Sequence, residues 1–144
     1  MKIEKISDIY EVLKGYTRKK RLVVAFANDS HSIEAVYMAV KAGLVEGILV
    51  GDTETIQGVC KENGYDESCF KIVHEPNDVR GAETAVEMIR NGEADVIMKG
   101  LVSTDKYMRA ILNKERGLVA PNAILSHVTV MECSSYHKLL TVSD

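Results

Sequence analysis

The chain alternates short apolar runs with segments of helical periodicity. Four aliphatic and β-branched runs, a composition typical of strands, occupy residues 21–27, 46–52, 71–75 and 94–100. Between them, apolar residues recur at spacings of three and four, which predicts amphipathic helices. Because the strand runs are almost continuously apolar, we expect both of their faces to be buried. The pattern therefore predicts an α/β fold, a mostly parallel sheet with helices on both faces.

Capping residues mark the ends of the predicted helices. Ser30 or Ser32 is expected to cap the helix that follows the first strand, and Gly43 stands where that helix should stop. Similar start and stop residues surround the next two helices, which end near Gly64 and Gly92. These signals agree with the apolar periodicity and fix the order of the elements.

The pattern changes after Asn113. Residues 123–133 and 138–144 both resemble strands and are separated by a short polar turn. Two strands in quick succession predict a hairpin. It is expected at the edge of the parallel sheet or beyond it.

Composition and charge exclude several classes of protein. With 144 residues, 46% hydrophobic and 27% charged, the chain fits one globular domain. A net charge of -3 gives no field that would attract nucleic acid or anionic lipid. No apolar stretch approaches the roughly 18 residues that span a bilayer, so we expect a cytoplasmic protein with no membrane partner.

The three cysteines do not suggest a metal or disulfide site. Cys60, Cys69 and Cys133 are odd in number and lack a CxxC spacing, so no metal site is predicted. Cys133 lies near His127 and His137 in sequence, which leaves a Cys/His nucleophile as an alternative to ordinary thiols.

The junction after the fourth strand concentrates positive charge. Residues 99–116 contain five basic and two acidic residues, although the whole chain is acidic. Ser103 or Thr104 would cap the next helix, whose first N–H groups and dipole favour an anion. Gly100 would let a ligand approach the backbone, and Lys99 would add a donor. These residues predict an oxyanion site.

Arg109 lies six residues beyond Ser103, about 9 Å along a helix axis. Helical side chains tilt toward the N-terminus, so its guanidinium can reach back to an anion bound there. The alternative is an ordinary surface ion pair with Asp105 at i, i+4. The residues alone leave both interpretations open.

Other polar residues near predicted strand ends are further candidates. His31 lies in the loop after the first strand, where it either meets a ligand or lies on the surface. His127 is a candidate general base because imidazole often serves in that role, but a histidine is also a common structural residue at a strand end. Ser126 would add a hydrogen-bond donor.

Several segments together resemble the phosphate acetyl/butyryltransferase family, and within it the phosphate butyryltransferases more closely. They are "MKGLVSTDKYMRAILNKERGL" (98–118), "LSHVTVME" (125–132) and "LLTVSD" (139–144), preceded by "EGILVGD" and "GAETAVEMIRNGEADVIMKG". The resemblance runs from about Arg21 to the end of the chain. As a set these segments are fairly specific, whereas each one alone is weak.

The resemblance implies a function and a fold. Family members exchange a short-chain acyl group between coenzyme A and inorganic phosphate, without a metal or bound cofactor. It implies a fold like that of isocitrate and isopropylmalate dehydrogenases, with two α/β domains and a cleft between them, and a dimer or larger homo-oligomer. It places Ser103, Thr104 and Arg109 on the phosphate side of the cleft, and Asp144 at the family's strand-end "SD" or "TD" position.

The chain is about half as long as the family's members. The resemblance therefore assigns residues 1–144 to the N-terminal α/β portion and places the main general base, with much of the coenzyme A surface, in an absent C-terminal half. Two alternatives stay open: a non-catalytic domain that senses acyl-CoA, and a generic nucleotide-binding α/β module. The absence of GxGxxG and GxxxxGK[ST] disfavours the module.

Overall fold

The computed structural model describes residues 2–143 and contains two compact units. The larger unit, Lys19–Pro121, is called the sheet unit here. The smaller one, called the terminal unit, combines the described residues of Met1–Arg18 and Asn122–Asp144.

The sheet unit contains the four predicted strands. They are β1 (Lys20–Ala25), β2 (Val45–Gly51), β3 (Phe70–His74) and β4 (Val96–Lys99). The strand order is β3-β2-β1-β4, and every neighbouring pair is parallel. The prediction of a parallel sheet is confirmed.

Helices connect these strands and cover the sheet. In chain order the α-helices of the described residues are α1 (Ile6–Lys14) in the terminal unit, then α2 (Ser30–Lys41), α3 (Thr53–Asn63), α4 (Asp78–Arg90) and α5 (Thr104–Leu112) in the sheet unit. Val23 and Ala25 of β1 pack in one core cluster with residues of α4 and α5, while Val24 packs in a second cluster with residues of α2 and α3. Each fully buried valine stabilises the fold by about 1.5–3 kcal/mol. The prediction of helices on both faces is therefore confirmed.

Two predicted boundaries around the first strand are wrong. α2 is capped by Asp29, not by Ser30 or Ser32, because the Asp29 carboxylate accepts a hydrogen bond from the Ser32 N–H at 2.9 Å. A carboxylate at this position also interacts favourably with the helix dipole. β1 ends at Ala25 because Phe26 has a φ of 63°, a left-handed conformation that interrupts a strand.

The terminal unit contains the predicted hairpin. β5 (Val128–Met131) and β6 (Leu140–Ser143) pair antiparallel and form a two-stranded sheet of their own. The hairpin is thus not an edge of the parallel sheet. α1 belongs to the same unit, and its Ile6 N–H donates to the Glu132 carboxylate at 2.9 Å.

Candidate functional site

The strand order identifies one crevice at the carboxyl edge of the parallel sheet. From β1 the chain adds β2 and β3 on one side, then returns to place β4 on the other side of β1. Ligands of such sheets bind where this direction reverses, outside the carboxyl ends of the two strands. The candidate site therefore lies between the loop after β1 and the loop after β4.

The loop after β4 leads directly into the capped start of α5. Ser103 is the N-cap, and its hydroxyl accepts a hydrogen bond from the Lys106 N–H at 3.3 Å. Thr104 is the first residue of the helix, and both Ser103 and Thr104 are exposed. The first N–H groups of a helix have no partner within it. Ser103 and Thr104 thus lie at an exposed, capped helix start, and anion binding there stays a prediction.

The packing around position 100 requires a glycine, whether or not a ligand binds there. A Cβ at this position would lie 2.3 Å from the carbonyl oxygen of Phe26. Two backbone hydrogen bonds are formed at this contact. The Gly100 N–H donates to the Ala25 carbonyl oxygen at 3.0 Å, and the Leu101 N–H donates to the Phe26 carbonyl oxygen at 2.7 Å. The glycine therefore joins the two loops of the crevice, and its contact with a ligand stays a prediction. Lys99, the last residue of β4, is exposed beside it.

Arg109 forms an ion pair with Asp105, which the residues alone left open as the alternative to anion binding. Its Nε lies 3.1 Å from Asp105 Oδ2, and the two side chains are 79% and 68% exposed. Exposed pairs of this kind contribute about 0–1 kcal/mol. An anion at the start of α5 could therefore take the guanidinium from Asp105 at little cost.

Arg109 also lines a groove of about 930 Å³ between α4 and α5. Five basic side chains line it, which are Arg80, Arg90, Lys106, Arg109 and Arg116, together with five acidic ones, which are Glu75, Glu83, Glu87, Asp105 and Glu115. Among the described residues, Lys99, Gly100, Ser103 and Thr104 do not line this groove. The predicted residues thus lie in two places: four are at the β4–α5 junction, whereas Arg109 lines the groove and pairs with Asp105 there.

The sequence prediction missed the role of Lys106. Its Nζ lies 2.6 Å from Asp78 Oδ2, which joins the first turns of α4 and α5. The hydrogen bond from Lys106 lowers the pKa of Asp78. No local spacing in the sequence could have indicated this pair, because Asp78 and Lys106 are 28 positions apart. Like Arg109, Lys106 is held by a carboxylate.

The loop after β1 contributes Asn28, Asp29 and His31. Asn28 Oδ1 accepts a hydrogen bond from the Asp52 N–H at 2.9 Å, which ties this loop to the end of β2. Among the described residues, the other oxygen of Asp29, Oδ1, is buried without a hydrogen-bond partner. His31 is exposed in the first turn of α2, and its contact with a ligand stays a prediction.

The remaining candidates belong to the terminal unit. Ser126 and His127 are exposed, and His127 Nε2 lies 3.3 Å from Thr129 Oγ1. Asp144 lies outside the described residues. The Cys133 thiol lies 3.1 Å from the Ser135 hydroxyl, a contact that lowers its pKa. That partner is a serine, so the contact does not support a Cys/His pair.

Across residues 2–143, no cluster of three or more His, Cys, Asp or Glu side chains has the arrangement of a metal site. Within the same residues, none of the helices has the length and apolar character needed to cross a bilayer.

Comparisons with known proteins reveal clear relatives. No family model matches the chain. It is 40% identical over 142 residues to a phosphate butyryltransferase of Clostridium acetobutylicum, an alignment that covers 99% of this chain and 46% of the relative. It is 33% identical over 139 residues to a phosphate acetyltransferase of Thermotoga maritima, covering 96% of this chain and 46% of the relative.

Solved structures support the same fold. A phosphotransacetylase from Streptococcus pyogenes matches with a TM-score of 0.67 and 18% identity, covering 94% of this chain and 50% of that one. A branched-chain phosphotransacylase from Enterococcus faecalis matches with a TM-score of 0.65 and 22% identity, covering 87% of this chain and 42% of that one. The chain thus spans about half the length of the relatives it matches. The resemblance to the phosphate acetyl/butyryltransferases is confirmed over nearly the whole of this chain.

Proposed function

We propose that the chain is the N-terminal portion of a phosphate acyltransferase. The complete enzyme would move an acetyl- or butyryl-type group between coenzyme A and inorganic phosphate, giving acyl phosphate and free coenzyme A. The observation that carries this proposal is the 40% identity over 99% of the chain to a phosphate butyryltransferase.

The phosphate subsite is proposed at the start of α5. Amide groups of the Ser103-capped turn would donate to phosphate oxygens, and the helix dipole would favour their charge. Arg109 would exchange Asp105 for the phosphate and bind two oxygens with its planar fork. Thr104, Lys99 and Gly100 would border the anion because they lie at the same junction.

The proposed reaction depends on binding both substrates next to each other. An oxygen of hydrogen phosphate attacks the thioester carbonyl, and a tetrahedral oxyanion forms. The C–S bond then breaks, and the proton of the hydrogen phosphate passes to the departing thiolate, which gives acyl phosphate and free thiol. No covalent bond to the enzyme is required, so positioning and electrostatic stabilisation supply the rate. The described residues assign no general base; His127 stays a candidate for that role, and Ser126 stays a candidate donor.

Further features of the complete protein belong to the same proposal. It would contain a C-terminal half that supplies the main base and much of the coenzyme A surface. Its two α/β domains would adopt the isocitrate dehydrogenase-like arrangement. Coenzyme A would be a substrate rather than a resident cofactor. The enzyme would act in the cytoplasm as a homo-oligomer.

The test is phosphate dependence in the complete protein. Arg109→Ala is expected to raise the KM for phosphate about 10- to 100-fold, because a hydrogen bond to a charged group contributes about 1.5–3 kcal/mol. Arg116→Ala, in the same groove but beyond the end of α5, is the matched control and should change the KM little. An unchanged KM in Arg109→Ala would overturn the subsite. Thermal stabilisation by coenzyme A without any acyl phosphate formation would instead select the sensing domain.

A further inference from the structure

One ion pair joins the first turns of two helices beside the proposed phosphate subsite. Asp78 is the first residue of α4, and Lys106 lies in the first turn of α5. Lys106 Nζ lies 2.6 Å from Asp78 Oδ2, and the two side chains are 42% and 29% exposed. The Asp105–Arg109 pair is longer and more exposed, and both of its residues belong to α5. The Asp78–Lys106 pair is therefore the closer contact, and it connects α5 to another element.

Lys106 occupies a position where the electrostatics of a helix disfavour a cation. The N-terminal end of a helix carries partial positive charge, so a basic residue in the first turn is unfavourable unless a carboxylate lies nearby. The one acidic residue of α5, Asp105, pairs with Arg109 instead. Asp78 comes from another helix, 28 positions earlier. The cost of this base on α5 is thus offset by a contact that forms only when α4 packs against α5.

The first turn of α5 is anchored on two sides. The Lys106 backbone N–H donates to the Ser103 hydroxyl at 3.3 Å, a long hydrogen bond at an exposed residue. Before the turn, the Leu101 N–H donates to the Phe26 carbonyl oxygen at 2.7 Å. Ser103 and Thr104 lie between these anchors in sequence and are exposed. The conformation of the turn therefore depends on the loop after β1 at one end and on α4 at the other.

We propose that Asp78 is a positioning residue of the phosphate subsite, which acts through Lys106 to hold the first turn of α5 in the conformation that binds the anion. This inference rests on the proposed function, because it concerns the same subsite. Amide donors stabilise an anion best when their directions are fixed in advance. Asp78 thus strengthens phosphate binding although its own negative charge repels an anion.

The sign of that effect separates positioning from simple electrostatics in the complete protein. Asp78→Asn removes a negative charge near the subsite, so electrostatics alone predicts a lower KM for phosphate. Positioning predicts a rise of roughly fivefold or more, because small misplacements of binding groups are costly. The KM for the acyl-CoA substrate should change less. Asp78→Glu keeps a carboxylate for Lys106 and should return the KM for phosphate to within about twofold of its original value.

A second background tests whether Asp78 acts through Lys106. In Lys106→Met, the partner of the carboxylate is absent, so adding Asp78→Asn should no longer raise the KM for phosphate. A rise as large as in the single variant would show that Asp78 acts by another route and would overturn the proposal.

Asp95→Asn is the matched control for a general loss of stability. Asp95 also forms an ion pair, with Arg21 at 3.0 Å, but it precedes β4 at the amino end of that strand, away from the subsite. Both Asp→Asn variants should lower the melting temperature, whereas only Asp78→Asn should raise the KM for phosphate. An equal rise in both variants would reflect stability alone and would contradict a positioning role.

Hydrogen exchange gives a readout that does not need turnover. The Tyr107 N–H donates to the Ser103 carbonyl oxygen at 3.0 Å and so reports the order of the first turn of α5. It should exchange roughly tenfold faster in Asp78→Asn. If the complete protein without substitutions forms no acyl phosphate, the proposed function fails and this inference fails with it. If it does form acyl phosphate, an unchanged or lower KM in Asp78→Asn, or unchanged exchange of Tyr107, overturns this inference alone.

Discussion

Gly100 and Phe26 are in closer contact than any residue with a side chain at position 100 would allow. The Cβ of an alanine at position 100 would lie 2.3 Å from the carbonyl oxygen of Phe26. That oxygen accepts the Leu101 N–H at 2.7 Å, and Phe26 itself is left-handed with a φ of 63°. A bulky residue seldom adopts this conformation. The two loops that form the candidate crevice therefore hold each other in place.

This contact predicts that Gly100→Ala destabilises the fold. The added methyl group would force β4 away from β1, at a cost of about 1 to 3 kcal/mol in the free energy of unfolding. Gly58→Ala is the matched control, because Gly58 lies within α3 and a Cβ there meets nothing within 4 Å. Helix propensity should make that variant more stable by about 1 kcal/mol. Urea denaturation measures both, and equal effects would contradict the role assigned to Gly100.

The sequence predicted the sheet unit well because its elements repeat one strong pattern. Continuous apolar strands and amphipathic helices are set by local residue order. The capped start of α5 was also predicted, since Ser103 has the properties of an N-cap. The end of β1 was missed because no sequence rule indicates a left-handed phenylalanine, whose conformation depends on contacts with residues far along the chain, such as Leu101.

The ion pairs near the candidate site were predicted in part for a similar reason. The pair of Asp105 and Arg109 follows from i, i+4 spacing on one helix. The pair of Lys106 and Asp78 joins residues 28 positions apart, so only the packing of α4 against α5 brings them together. Local spacing identifies the first kind of contact and says nothing of the second.

The contact of Arg21 with Asp95 predicts a pH-dependent stability. Both carboxylate oxygens of Asp95 accept from the guanidinium, at 3.0 and 3.1 Å, and the Arg21 backbone N–H donates as well. These hydrogen bonds lower the pKa of Asp95. A carboxyl whose pKa is lower in the folded state contributes stability above its unfolded pKa, and this contribution is lost as the pH falls.

Asp95→Asn should therefore destabilise the chain at neutral pH, and the difference from the unchanged protein should shrink between about pH 5 and pH 2. Urea denaturation across this range measures it. Glu62→Gln, at an exposed position on α3, is the control and should alter stability little at any pH. If the difference in stability between the two proteins stays constant down to pH 2, the charge of the Asp95 carboxylate does not contribute to stability.

Substitutions of Ser103 separate the capping of α5 from anion binding. Ser103→Ala removes the hydroxyl that accepts the Lys106 N–H, so unfolding should become easier by about 1 kcal/mol. Ser103→Asp and Ser103→Asn both preserve capping and should leave stability within a few tenths of a kcal/mol. Only the aspartate adds negative charge at the proposed phosphate subsite. Phosphate titration by calorimetry should show weaker binding for Ser103→Asp and nearly unchanged binding for Ser103→Asn; equal affinities would place the anion elsewhere.

Asp105→Asn should strengthen phosphate binding. Asp105 holds the Arg109 guanidinium at 3.1 Å and adds a negative charge to the first turn of α5, so it competes with an incoming anion. Because an exposed pair contributes about 0–1 kcal/mol, the gain in affinity should be at most about fivefold, and added salt should reduce it. Calorimetric titration at low ionic strength measures this gain, and Glu115→Gln in the same groove serves as the control.

The Arg109→Ala background then separates the two causes of that gain. If Asp105 acts mainly by holding the guanidinium, Asp105→Asn should have little effect once Arg109 is absent. If it acts by simple repulsion of the anion, the gain should persist in the double variant, because the charge of Asp105 is removed in both backgrounds. A decrease in phosphate affinity in Asp105→Asn alone would contradict the competition, since it would mean that the ion pair holds Arg109 in the orientation that the anion requires.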